Sequence, residues 1–139
     1  MPERSTLIWL FLRFSGRIGR AAYGWATLFA TVLMAFVIYR LVMELPASYF
    51  EQAAASEMGL PPLPQTPAIE FWTFVLVVGN FVYDWVLLAL TAKRLHDIGR
   101  SGWWALLLFV FGLFMSIILC FLPGDPRPNR YGNPQPPGR

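Results

Sequence analysis

The stretch TAKRLHDIGRSGWWALLLF, residues 91–109, crowds Lys93, Arg94, His96, Asp97 and Arg100 between two strongly apolar runs, with Trp103 and Trp104 close behind. A histidine beside a carboxylate is the start of several chemistries. His96-Asp97 resembles part of a metal-dependent phosphohydrolase centre, but such a centre needs several further His and Asp ligands. The chain has one histidine and one cysteine, Cys120, so a zinc site would need carboxylates or a second subunit. Ser101 as a nucleophile would have one possible histidine partner. These residues therefore read as non-catalytic. We expect no enzyme, no metal and no cofactor.

Two other readings fit the same residues. In one, Lys93, Arg94 and Arg100, joined by Arg17 and Arg20 and set beside His96 and Asp97, grip an anionic lipid headgroup or a partner's acidic segment. In the other, the stretch is a polar joint. Asp97 pairs with a nearby arginine, Gly99 and Gly102 allow a tight reversal, and Ser101 caps the helix that follows. Trp103 and Trp104 then sit where interfacial aromatics belong.

Chemistry is also conceivable deeper in the preceding run. Asn80 and Asp84 are four residues apart and share a helical face, with Thr73 and Thr91 near the same line. A carboxylate at bilayer depth costs about 2.5–3.5 kcal/mol, so Asp84 should not face lipid. It would either handle protons or cations, or clamp helices by hydrogen bonds to hydroxyls such as Thr27 or Thr31. In the last apolar run Gly112, Ser116 and Cys120 recur every four residues, with Ala105 in line. That small-residue face permits close helix approach.

The elements that must position these groups follow from composition. Of 139 residues, 56% are apolar and only 14% charged, which suits a membrane protein better than a soluble globule. The formal charge of +3 is spread along segment ends rather than gathered on one face, which argues against nucleic acid. Crossing about 30 Å of hydrocarbon takes about 20 helical residues. Three runs qualify, 21–42, 71–92 and 103–122, and none alternates with the period of a strand. The expected fold is an all-α integral membrane protein, one domain of three transmembrane helices plus a short N-terminal interfacial amphipathic helix at 7–13.

Between the first two spans, residues 43–70 form an acidic, proline-rich outer loop. Within it Ser48-Tyr-Phe-Glu51 has the pattern of a capping box, and Gly59 suits a helix stop. Pro61, Pro62, Pro64 and Pro67 favour extended chain. Residues 123–139 read as an irregular Pro/Gly-rich tail. With the N-terminus in the cytoplasm and the tail outside, seven basic residues lie inside and four outside, which favours that orientation. Three spans enclose few side chains, so a homo-oligomer or a larger membrane partner is expected.

Three stretches, FSGRIGRAAYGW (14–25), AKRLHDIGRSGWW (92–104) and PGDPRPNRYGNP (123–134), resemble in order the motifs of a small bacterial inner-membrane family typified by YhaH and YhaI, a domain-of-unknown-function family. The matching positions include Gly16, Arg17, Arg20 and Tyr23, then Arg94 to Asp97 and Gly99 to Trp104. In the tail they include Pro123, Gly124, Asn129, Arg130, Tyr131, Gly132 and Pro134. Ala22 stands where the family usually has an acid, and Asn133 where a proline is usual. The resemblance implies a multi-pass inner-membrane protein and supplies no catalytic residues. The expected function is an interaction, adaptor or lipid-headgroup-binding protein using the RLHDxGRSGWW joint. The alternative is a small oligomeric proton or cation transporter using Asp84 and Asn80.

Overall fold

The apolar runs form helices, as they must where water is absent and every backbone group needs an internal partner. A computed structural model describes residues 10–56 and 59–133. Helix α1 is Arg20–Met43, α2 is Ala47–Ala55 and α3 is Pro67–Asp97. A 3-10 segment, Gly102–Leu107, leads into α4, Leu108–Phe121. Three helical stretches, Arg20–Met43, Pro67–Asp97 and Gly102–Phe121, are long and apolar enough to cross a membrane. Among the described residues no strand forms, apart from an isolated bridge between Asn129 and Gly132. The chain is an all-α membrane protein.

Local chemistry sets the ends of α3. Thr66 caps its start, accepting a bond from the Ile69 amide at 3.3 Å, and Pro67 fills the first position, where no amide is needed. At the other end Gly99 takes φ 77°. The Arg100 amide then reaches back to the Leu95 carbonyl at 2.8 Å and the Gly99 amide to His96 at 3.1 Å. That is a Schellman stop, and it needs the glycine.

The chain divides into two compact units. In the unit Val32–Val82, Arg40 pairs with Glu44 at 3.1 Å and its guanidinium lies 5.2 Å from the Trp72 ring centroid. The Tyr49 hydroxyl donates to the Pro61 carbonyl at 3.1 Å. The expected capping box is not used here. Helix α2 begins after Pro46, whose fixed φ of −69° sets an extended entry, so Ser48 lies inside the helix. The helix ends at Ala55 with Ser56 as its C-cap, before Gly59 is reached.

The other unit gathers residues up to Thr31 with those from Tyr83 onward. Here α1 and α3 run antiparallel: Tyr23 Oη meets Thr91 Oγ1 at 3.1 Å, and Thr31 Oγ1 meets Tyr83 Oη at 3.2 Å. A small core of Ile18, Tyr23, Ala26, Leu90, Ala92, Leu95, Ala105 and Leu119 forms around the last turns of α3. Trp25 and Phe109 are exposed at 72% and 65%, as side chains facing acyl chains should be. Of the expected interfacial helix, Leu10 to Leu12 are helical and the remainder lies outside the described residues, apart from Arg13, which is not helical.

The last apolar run is not one straight rod. Gly112 takes φ 53° and ψ −138°, a pairing that only glycine adopts without strain, and it breaks α4 into two arms. Ser101 precedes the 3-10 segment, but its hydroxyl makes no capping bond; its carbonyl accepts from the Trp104 amide at 3.2 Å instead. A tight 3-10 turn takes up at Ser101 the backbone bond that a side-chain cap would otherwise supply.

Candidate functional site

At the end of α3, two arginines converge on one aspartate. Arg17 Nε donates to Asp97 Oδ1 at 3.0 Å, and Arg94 Nη1 donates to Asp97 Oδ2. All three residues are buried. One carboxylate cannot satisfy two forked guanidinium groups, and backbone carbonyls supply the rest. Arg17 Nη1 reaches the carbonyls of Arg127 at 2.9 Å and Gly132 at 3.2 Å. Its Nη2 reaches Asp97 O at 3.2 Å and also Asp125 O. Arg94 Nε donates to Leu119 O at 3.0 Å and Nη2 to Leu122 O. Those last carbonyls belong to the C-terminal turn of α4, the negative end of its dipole.

The knot therefore ties three separate segments: the N-terminal arm, the joint after α3 and the tail. The tail docks through its own bonds as well. Asp125 N donates to Asp97 O at 2.8 Å, and Asn129 Nδ2 donates to His96 O at 3.0 Å. Tyr131 stacks on His96, with ring centroids 3.8 Å apart and an interplanar angle of 12°. His96 Nδ1 faces the Gly16 carbonyl at 3.2 Å, and a carbonyl only accepts, so the proton sits on Nδ1. Two glycines make the close packing possible. A Cβ on Gly102 would lie 2.8 Å from His96 Nε2, and one on Gly124 would fall within the Asp97 carboxylate.

The expected lipid-gripping residues thus separate into two sets. Arg17, Lys93, Arg94 and Asp97 are buried and His96 is half-buried, so the two arginines are consumed within the knot rather than presented to headgroups. Lys93 Nζ donates to the Leu10 carbonyl. Arg20 and Arg100 are exposed, and so are Arg13, Arg127 and Arg130 on the segments that the knot gathers. The Arg130 guanidinium rests 4.7 Å from the centroid of the Tyr131 ring. Trp103 and Trp104 point outward, at 80% and 56% exposure. Gly99 closes α3, Ser101 is half-buried, and Gly102 packs on His96.

Deeper in the unit, Asp84 lines a cavity of about 290 Å³ with Tyr83, Leu87, Leu88, Leu108, Phe109, Gly112 and Leu113. Asn80, on the same helix, is exposed. Thr31 is bonded to Tyr83 rather than to Asp84. Of the small-residue face, Ala105 and Ser116 are buried, and Cys120 Sγ is 3.6 Å from where a Gly24 Cβ would stand. Among the described residues no group of three His, Cys, Asp or Glu side chains could hold a metal ion.

Sequence reasoning placed an arginine beside Asp97 but missed the tail as its partner. Proline and glycine richness signalled irregular chain, and it hid a set of backbone carbonyls aimed at Arg17. Asn129 and Tyr131 were the available signal, since an amide and an aromatic in a Pro-rich tail suit docking better than solvent.

The chain matches the family model described as "Protein of unknown function (DUF805)" over residues 11–133. It is 30% identical over 126 residues to the inner membrane protein YhaI of Escherichia coli K12, covering 88% of this chain and 86% of that one. The YhaI protein of Escherichia coli O157:H7 matches with the same identity and coverage. No solved structure matches. The match runs from the N-terminal arm into the tail, so it encloses all three segments of the arginine knot, and the chain belongs to this family of unknown function.

Proposed function

We propose that the chain is a non-enzymatic protein of the bacterial inner membrane that holds anionic lipid headgroups on the face around the RLHDxGRSGWW joint. One observation carries this reading: the knot buries the only carboxylate of the joint and leaves Arg13, Arg20, Arg100, Arg127 and Arg130 exposed on the segments it ties. Asp125 is the sole other acid among the described residues of these three segments, and one of its oxygens already accepts from the Arg127 amide at 3.0 Å. Such a cationic face suits phosphate, and Trp103 and Trp104 suit the interface beside it. The N-terminus lies in the cytoplasm in this reading. A second copy of the chain is the preferred neighbour, covering part of the apolar surface that three short stretches cannot bury.

Each exposed arginine near an anionic surface contributes about 1 kcal/mol, so replacing two should weaken retention roughly 30-fold. Native mass spectrometry of the protein from mixed nanodiscs of phosphatidylglycerol and phosphatidylcholine reads this directly, along with stoichiometry. Arg20→Gln with Arg100→Gln should lose the preference for phosphatidylglycerol at unchanged thermal stability. An unchanged preference would dismiss the proposal.

The cavity beside Asp84 favours a second reading, passage of protons or cations. It predicts flux in proteoliposomes that disappears in Asp84→Asn; flux no greater than in empty vesicles removes it.

A further inference from the structure

The two ends of the last apolar stretch meet the same turns of α3. A Cβ on Gly102 would be 3.3 Å from the Ala92 Cβ, while Leu119 O lies 3.0 Å from Arg94 Nε. Leu122 O is bonded to the same guanidinium, and Asp125 N to Asp97 O. A straight helix of 20 residues would put its ends about 30 Å apart, more than an arginine side chain and two residues of α3 can bridge. The middle of the stretch lies elsewhere: Leu108, Phe109, Gly112 and Leu113 line a cavity with Tyr83, Asp84, Leu87 and Leu88. Tyr83 is about ten residues from Lys93, so this level is roughly 15 Å along α3, half of a bilayer core. Gly112, with its non-helical φ and ψ, stands at the turning point.

We propose that residues 102–122 form a re-entrant hairpin that enters from the cytoplasmic face, turns at Gly112 near mid-membrane and leaves by the face it entered. Its interaction surface is the acyl region of that one leaflet, which receives the outward-facing Phe109, Phe111, Phe114 and Phe121. Length and composition allow a crossing; the shared partners of both ends select the hairpin.

Two further observations agree. The carbonyl ends of α3 and α4 both meet Arg17 or Arg94, which requires the two helices to finish at one level. The charge distribution then changes. With the tail on the side of the N-terminal arm, ten of the eleven basic residues share one face, and only Arg40, in the last turn of α1, lies at the end that leads into the acidic loop. That asymmetry far exceeds seven against four, and it places the shared face in the cytoplasm. The hairpin also accounts for Asp84. A broken helix at depth is tolerated where its backbone lines a cavity with polar groups, and Asp84 and Tyr83 border the cavity at which the returning arm begins. This inference does not depend on headgroup binding.

Cysteine accessibility in the full-length chain tests it, on a Cys120→Ser background, with a membrane-impermeant maleimide applied to right-side-out and inverted vesicles. Arg100→Cys and Asn133→Cys should both label only in inverted vesicles, and Glu51→Cys only in right-side-out ones. Asn133→Cys labelling from the side of Glu51→Cys would overturn the hairpin. Trypsin on the unsubstituted chain provides the same readout without replacement. Cleavage after Arg130, which Tyr131 follows, only in inverted vesicles supports the hairpin, and cleavage there only in right-side-out vesicles overturns it.

Discussion

Asp97→Asn is expected to lower stability by about 3–5 kcal/mol, the largest effect of any single side chain here. Asp97 is 5% exposed and faces Arg17 and Arg94, which are 3% and 0% exposed. Neutralising it leaves two buried guanidinium groups with no counter-charge, and neither can shed its proton. The amide keeps the shape of the carboxylate, so the loss reports charge rather than a cavity. Unfolding of the purified protein in mild detergent, followed by fluorescence of its tryptophans, measures the change. Asp125→Asn is the control. Arg17 meets the Asp125 backbone carbonyl, not its carboxylate, so that variant should stay within about 1 kcal/mol of the parent. If both variants unfold alike, the knot does not hold the unit together.

Apolar replacement of all three charges would not restore what Asp97→Asn removes. Buried ion triads can sometimes be exchanged for packed hydrophobic side chains at no cost. Here, however, the arginines also satisfy the carbonyls of Leu119, Leu122, Asp125, Arg127 and Gly132. A triple variant with Arg17→Met, Arg94→Met and Asp97→Leu would take these donors from the carbonyls of Leu119, Leu122, Asp125 and Arg127, at about 1 kcal/mol or more for each that stays dry, while Gly132 O would keep the Asn129 amide at 3.2 Å. The guanidinium groups are therefore best understood as caps for irregular chain and for a helix terminus, with Asp97 as the counter-charge that holds them in place.

This explains which parts were legible in the sequence. The helices were, because twenty-residue apolar runs have few alternatives in lipid, and α1 and α3 cover the expected spans 21–42 and 71–92. The joint was legible as well, down to Asp97 pairing with an arginine and the reversal at Gly99. The tail was not. Hydropathy counts side chains, whereas Pro123 to Gly132 docks largely through carbonyls, which every residue carries. Gly112 was ambiguous for a related reason: a glycine in an apolar run serves equally as a close-packing site or as a turn, and only the partners of Gly102 and Leu119 distinguish them. The grip assigned to Arg17 and Arg94 likewise depended on their facing outward, which charge alone does not decide.

Gly124→Ala should release the tail while leaving the helices in place. The added methyl would fall within the Asp97 carboxylate and 3.4 Å from Arg94 Nη1, so either the carboxylate turns away from its arginines or the tail lifts off. Overpacking of this kind costs about 1–3 kcal/mol, and here it also competes with a charge-assisted bond. Lifting the tail is the cheaper response. It gives up the carbonyls of Asp125, Arg127 and Gly132 to water, whereas turning Asp97 would strand two buried cations. The measurement is limited trypsin digestion in detergent. Cleavage after Arg130 should accelerate about tenfold or more, with far-ultraviolet circular dichroism unchanged. Gly132→Ala, where no atom lies within 4 Å of the added methyl, carries a φ of 124° and should show backbone strain without the clash. Its smaller acceleration would locate the main effect at the contact between Gly124 and Asp97. Equal acceleration in both variants would instead mean that tail conformation, not its seat on the carboxylate, controls docking.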